Sequence, residues 1–203
     1  MLDQIIVKVG NTGIAYPVLE SVIRKSSKFF DNAMKPEWAS ARPDPRVVDL
    51  SDEEPEVFGI YIHWLYFRTF PTVTTVDLGP NSPEALLLCK CYIMGDKLMD
   101  PTFKNATLKA LVDATHNQPH CNPRIPGPGS IKSIYEGTTG GSPARKLIVD
   151  LWVAYVGESS LIYLTEQLPH GFVLEFSRAL VLSKCKAKDT RSWYERIEDY
   201  LED

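Results

Sequence analysis

The residues best equipped for chemistry in this sequence are four cysteines, at 89, 91, 121 and 185, and four histidines. Cys89-Lys90-Cys91 and His116-x-x-x-His120-Cys121 together offer five sulfur and nitrogen donors of the kind zinc takes. Cys89 and Cys91 stand inside a helical pattern, where residues two apart point about 200° away from each other. Both reach one ion only if the helix breaks there; otherwise they are two small residues of a buried helix. His116, His120 and Cys121 fall in a proline-rich stretch that reads as a polar linker. His63 lies in the most apolar helix of the chain, either as a functional base or as a hydrogen-bonded core imidazole. Glu195, Glu198, Asp199 and Glu202 share the face of a last helix opposite Trp193 and Ile197, which is the pattern of a solvated face. Lys184, Lys186 and Lys188 cluster where a preceding helix ends, and cations suit that end of the macrodipole.

The signatures of catalysis are missing. Gly141-Ser142-Pro143-Ala144 lacks the second glycine of a nucleophile elbow. Gly127-Pro128-Gly129 opens like a dinucleotide loop, but Lys132 stands where a glycine is needed and the proline removes an N–H that would cradle phosphate. There is no P-loop, no H-E-x-x-H and no calcium-loop spacing. No cofactor and no metal are expected, and the chain reads as a non-enzyme; a small zinc protein or α/β enzyme is the remote alternative.

The elements that would position these residues follow from periodicity. Ile5–Val9 is β-branched and ends at Gly10-Asn11-Thr12-Gly13, a two-residue turn flanked by glycines, so a hairpin with Ile14-Ala15-Tyr16 is expected. Pro17 suits the first position of a helix in which Val18, Leu19, Val22 and Ile23 share one face. Ser26 or Ser27 can cap a second helix carrying Phe29, Phe30, Ala33 and Met34. Residues 36–45 hold three prolines and read as loop, and 46–50 as a short strand. A helix opens at Pro55 behind Glu54 or Asp52, and residues 57–67 are apolar nearly all round. Thr69–Pro80 is loop or edge strand; Ser82-Pro83-Glu84 starts a helix that should stop at Gly95. Asp100-Pro101 starts another, with Phe103, Ala106, Thr107, Ala110 and Leu111 on one face. The proline density between Ala114 and Ser130 breaks regular structure. Helical stripes follow: Leu147, Ile148, Leu151, Trp152 and Tyr155; Phe172, Phe176 and Leu180; Trp193, Tyr194, Ile197, Tyr200 and Leu201. The expected plan is an α+β domain over 1–113, a proline-rich connection over 114–130 and a helical extension over 131–203.

Composition removes other classes. The chain has 203 residues, 22 basic and 26 acidic, for a net charge of −4, and this acidity speaks against direct nucleic-acid binding and against a polybasic membrane-surface protein. Apolar residues at 44% and charged residues at 24% are ordinary globular usage, so wholesale disorder is excluded. No apolar run approaches the roughly 18 residues of a membrane span. The opening residues carry Asp3 and lack the basic and apolar regions of a signal peptide, so the expected compartment is intracellular, cytoplasmic or nuclear, with reduced thiols.

The ordered motifs resemble the BTB/POZ family. Val7-Lys8-Val9-Gly10, Tyr16-Pro17-Val18-Leu19-Glu20 and Ile23-Arg24-x-x-Ser27-x-Phe29-Phe30 look like the opening of such a domain. Pro36-Glu37-Trp38, Val48-Asp49-Leu50 and Pro55-Glu56-Val57-Phe58 through Trp64-Leu65-Tyr66 continue it in order. Tyr92-x-x-Gly95-Asp96-Lys97-Leu98 and Phe103-Lys104-Asn105 resemble its later helices. The likeness spans residues 3 to 113 and is closest in style to short fungal BTB proteins with a helical C-terminal part.

The resemblance implies a helical cluster flanked by a short, mainly antiparallel three-stranded sheet, and a protein-interaction module without catalysis. It implies homodimerisation through the first helix and N-terminal strand, which makes Val18, Leu19, Val22 and Ile23 the interface candidates. Leu19 stands where the family usually has histidine, so the polar pocket of dimeric transcription-factor members is expected to be missing. The resemblance also implies docking of other proteins, a cullin scaffold among them, around the second helix, with Met34, Glu37 and Trp38 as candidates. Many cullin-binding members carry a hydrophobic residue with glutamate two positions later. Met34-Lys35-Pro36-Glu37 has one residue too many and Trp38-Ala39-Ser40 has serine in place of the acid. Trp38 is either packed on the domain or exposed as an anchor, and packing is the expected state.

Overall fold

The computed structural model describes residues 3–71, 83–116, 125–155, 168–185 and 197–202. The chain divides into two compact units, Met1–Pro71 with Met94–Lys104, and Thr72–Ile93 with Asn105–Asp203. The fold is α+β, with one three-stranded sheet near the N-terminus and nine helices among the described residues.

In the first unit, β1 (Gln4–Val9) and β2 (Ile14–Leu19) form the expected hairpin, antiparallel from Gln4 opposite Leu19 to Val9 opposite Ile14. Gly10 and Gly13 both take positive φ, and Gly13 N–H closes the turn on Gly10 O at 2.8 Å. Gly10 is required twice over, because a Cβ there would also stand 2.9 Å from Pro55 Cγ. The sheet order is β2-β1-β3, and β3 (Val47–Leu50) runs parallel to β1. The sheet is therefore mixed, one antiparallel and one parallel pair, rather than mainly antiparallel. The chain passes through helices between β2 and β3, and such a crossover lets a strand return in the same direction.

Pro17 departs from expectation. It lies in β2 opposite Ile6, not at a helix start. β2 is an edge strand, where a missing N–H is tolerated. Val18 and Leu19 thus belong to the strand, and α1 (Glu20–Ser26) holds only Val22 and Ile23 of the presumed helical face.

Ser27, not Ser26, caps α2 (Lys28–Ala33): its Oγ accepts from Phe30 N and donates to Leu98 O at 2.6 Å. Within residues 36–45, expected as loop, Pro36–Ala39 forms a single helical turn, α3, with Pro36 at the first position where its missing N–H costs nothing. α4 (Pro55–Phe67) is buried on most sides, as its composition requires. α5 (Pro83–Lys97) runs through Gly95 instead of ending there. The glycine serves close approach: a Cβ would meet Lys104 Cγ at 2.8 Å and Phe103 Cδ1 at 3.1 Å. α6 (Pro101–His116) starts at Asp100, whose Oδ1 accepts Phe103 N at 2.9 Å, the bond of an N-cap. The core of this unit is aromatic, with Tyr16 edge-on to Phe58 at 5.2 Å and Tyr61 edge-on to Phe103 at 4.9 Å.

In the second unit, α7 (Pro128–Gly137), α8 (Pro143–Tyr155) and α9 (His170–Cys185) carry the expected stripes. The span expected to lack regular structure is shorter than 114–130, since α6 reaches His116 and Pro128 opens α7 from its first position. Leu147, Ile148, Leu151 and Trp152 are buried, and Phe172 stacks on Phe176 at 5.7 Å. Trp152 Nε1 donates to Pro126 O at 2.9 Å. The last stripe is not a helix within its described part: Ile197–Tyr200 is one 3-10 turn, and Tyr200 is its buried member. Thr72–Ser82, His120, Cys121, Lys186, Lys188, Trp193, Tyr194 and Glu195 lie outside the described residues. Among the described residues no helix is long and apolar enough to cross a membrane.

Candidate protein-docking surface

The first unit carries a groove of about 400 Å³ whose walls come from three places in the chain. α2 turns Phe30 into the core, which leaves Phe29, Asn32 and Ala33 on its outer side facing the groove. α3 buries Ala39, so Trp38, one residue earlier, points outward with 66% of its surface exposed. Met99 supplies the third wall from the corner between α5 and α6, where it takes φ +50° and remains 45% exposed. A left-handed conformation costs a non-glycine residue roughly 1–2 kcal/mol. The corner is fixed by Lys28 N–H on Met99 O at 3.3 Å and Phe29 N–H on Leu98 O at 3.2 Å.

Arg42 forms the polar end of the groove. Its guanidinium donates to Ala33 O at 2.9 Å and Pro45 O at 2.8 Å, tying the loop after α3 to the carboxyl end of α2. Its Nε is buried without a hydrogen-bond partner, and no carboxylate among the described residues pairs with the group. The groove is therefore apolar with one uncompensated cation. Such a surface suits a partner side chain that is aromatic or aliphatic beside a carboxylate.

Of the partner-surface candidates, Trp38 and Glu37 are exposed, while Met34 is buried with its sulfur 3.5 Å from Arg42 Nη2. The expectation that Trp38 packs on the domain is overturned, because a single helical turn can bury only one of its sides and Ala39 takes it. Phe29 was legible as the neighbour of Phe30, about 100° round the same helix. Met99 carried no signal, since only the tertiary fold brings it to Trp38, and Arg42 stood in a stretch that reads as loop.

The dimer-interface candidates are divided. Val18 and Ile23 are fully buried in the core, whereas Leu19 and Val22 are half-buried. Leu19 N–H donates to Tyr66 Oη at 3.1 Å, which places the exposed Tyr66 ring beside this patch. Glu20 is held between Arg24, at 2.7 Å, and Arg46, at 2.6 Å, so the charges next to the patch are internally neutralised.

The chemical candidates do not converge. His63 is half-buried and its Nε2 lies 3.0 Å from Thr69 Oγ1, with the ring 4.8 Å from Phe67. Cys89 and Cys91 are both buried in α5, and neither is in a disulfide. Among the described residues no three His, Cys, Asp or Glu side chains are grouped to hold a metal. Burial pushes the Cys89 thiol up to about 12 from 9.0, with the Ser130 hydroxyl opposing it. Below pH 9 the folded and unfolded chains both keep this proton. Between 9 and 12 unfolding releases it, so stability is expected to fall by about 1.4 kcal/mol per pH unit from this group. Urea titrations at pH 8, 9 and 10 check this, and Cys89→Ala should flatten the slope; an unchanged slope would mean that the thiol titrates normally.

Compared with protein-family models and with curated protein sequences, the chain matches none.

Proposed function

We propose that this chain is a non-enzymatic protein-interaction module of the BTB/POZ kind, a scaffold that pairs with itself and docks a second protein in the Trp38 groove. The observation that carries the reading is the exposed tryptophan in an apolar groove whose end holds an arginine facing no carboxylate among the described residues. Exposed indoles in such settings are the residues on which interfaces depend most. The order of elements in residues 4–116, a hairpin, short helices, a returning strand and three longer helices, supports the family reading. Self-association is assigned to the Leu19, Val22 and Tyr66 patch.

A second reading makes the module a substrate adaptor of a cullin-based ubiquitin ligase. The position of the groove favours it, since α2 and α3 are where the resemblance implies cullin docking. Ser40, the residue in place of the expected acid, is instead turned back onto Pro36 O at 2.7 Å. Light scattering coupled to size exclusion, on the protein alone and mixed with a cullin N-terminal domain, separates these readings. The chain alone should elute at about twice 22.9 kDa. A larger stable complex with the cullin establishes the adaptor, an unchanged dimer leaves the scaffold, and a monomer in both runs overturns the self-pairing and the cullin role together.

A further inference from the structure

Residues Ile197–Glu202 in the second unit are held in the manner of a bound peptide. The segment contains a single four-residue 3-10 turn and one fully buried side chain, Tyr200. Its backbone is read by Asn105 of α6, whose Nδ2 donates to Glu202 O at 2.8 Å while Oδ1 accepts Glu202 N–H at 3.0 Å. This two-way amide pairing recognises a peptide unit whatever its side chain, because both groups belong to the main chain. Lys146 of α8 adds a second main-chain contact, with Nζ 3.3 Å from Asp199 O, and sits 4.9 Å over the Tyr200 ring. Selectivity comes from the side-chain contacts. The Tyr200 hydroxyl donates to Asp150 Oδ2 at 2.7 Å, and Tyr92 Oη donates to Glu202 Oε1 at 3.3 Å. One ion pair adds to these contacts, with Lys109 Nζ 3.8 Å from Glu198 Oε1.

We propose that the slot formed by α5, α6 and α8 is a peptide-binding site for an acidic segment carrying a tyrosine with a glutamate two residues after it, and that Ile197–Glu202 is its ligand in cis. An acidic tyrosine-bearing segment of another chain competes for the same slot. The main-chain pairing to Asn105 sets its direction, and the Asp150 acceptor and Lys146 cation select the tyrosine. The assignment is independent of the Trp38 groove, because it uses neither its residues nor its unit.

The test uses a fluorescent peptide of residues 197–203 and anisotropy with the full chain. In the unaltered chain the tethered segment competes at an effective concentration in the millimolar range, so the peptide should bind at least about tenfold more weakly than to Tyr200→Ala, whose own segment lacks its anchor. Binding to Tyr200→Ala should be saturable and lost when the peptide tyrosine is changed to alanine or when Asn105→Ala is added. If Tyr200→Ala loses its cooperative melt, Glu202→Pro takes its place, since it deletes the N–H given to Asn105 and leaves Tyr200. The proposal is overturned if a cooperatively melting variant shows no saturable binding, or if binding survives Asn105→Ala or loss of the peptide tyrosine.

Discussion

Asp100→Ala is expected to destabilise the protein by about 3–5 kcal/mol, a large share of the roughly 5–15 kcal/mol that holds a folded domain. Asp100 is fully buried and its two oxygens accept four hydrogen bonds. Oδ2 takes Ser26 Oγ at 2.5 Å and Tyr61 Oη at 3.1 Å; Oδ1 takes Thr102 Oγ1 at 2.8 Å and Phe103 N–H at 2.9 Å. One side chain thereby joins the end of α1, the middle of α4 and the start of α6. Alanine leaves these donors without an acceptor, and the buried Tyr61 hydroxyl and Phe103 N–H have no route to water. The Tyr61 phenol is pushed far above its ordinary range, first by burial and then by the Asp100 charge, so it stays a donor at any working pH. Asp100→Asn keeps the cap acceptor and the shape and should cost only about 1–2 kcal/mol. Urea midpoints for the three chains check the order; an alanine variant within about 0.5 kcal/mol of the parent would show that water satisfies the site.

Trp38→Ala is expected to act oppositely, weakening partner binding by about thirtyfold or more while leaving stability within about 0.5 kcal/mol. The indole is 66% exposed and has no hydrogen bond among the described residues, so folding depends on it little. An interface that covers it would remove that apolar surface from water and gain the most from it. Arg42→Ala provides the contrast, because it deletes two bonds to backbone carbonyls as well as the groove cation. That variant should lose both stability and binding. Under the adaptor reading, calorimetry against the cullin N-terminal domain, with thermal melts of each variant alone, reads both effects. Full affinity in Trp38→Ala would remove the groove as the docking surface.

Local signals carried well wherever the chain decides its own conformation. The Gly10–Gly13 turn, the Asp100 helix start, a serine cap at Ser27 and the α8 stripe each depend on neighbours within a few residues, whereas Pro36 and Pro128 read as loop and open helices instead. Where two readings share a pattern, only packing chooses. Val18 and Leu19 fit a helix face and a strand equally, and pairing with β1 settled it because Val18 is opposite the buried Ile5. Gly95 reads as a helix stop until Phe103 and Lys104 are seen against it. The zinc donors are similar: spacing permits them on paper, but burial of Cys89 and Cys91 in one continuous helix sets them apart.

What the sequence determined by itself is the α+β plan, its hairpin and caps, and Trp38 as a residue in need of explanation, since these follow from backbone preference and periodicity. The tertiary structure alone decided that β3 returns parallel, that Trp38 faces outward between Phe29 and Met99, that Arg42 meets no carboxylate among the described residues, and that residues 197–202 fill a slot built from α5, α6 and α8. The returning strand, the Met99 wall and the slot each join groups far apart in the chain. Their interaction depends on distances of a few ångströms that no local pattern encodes.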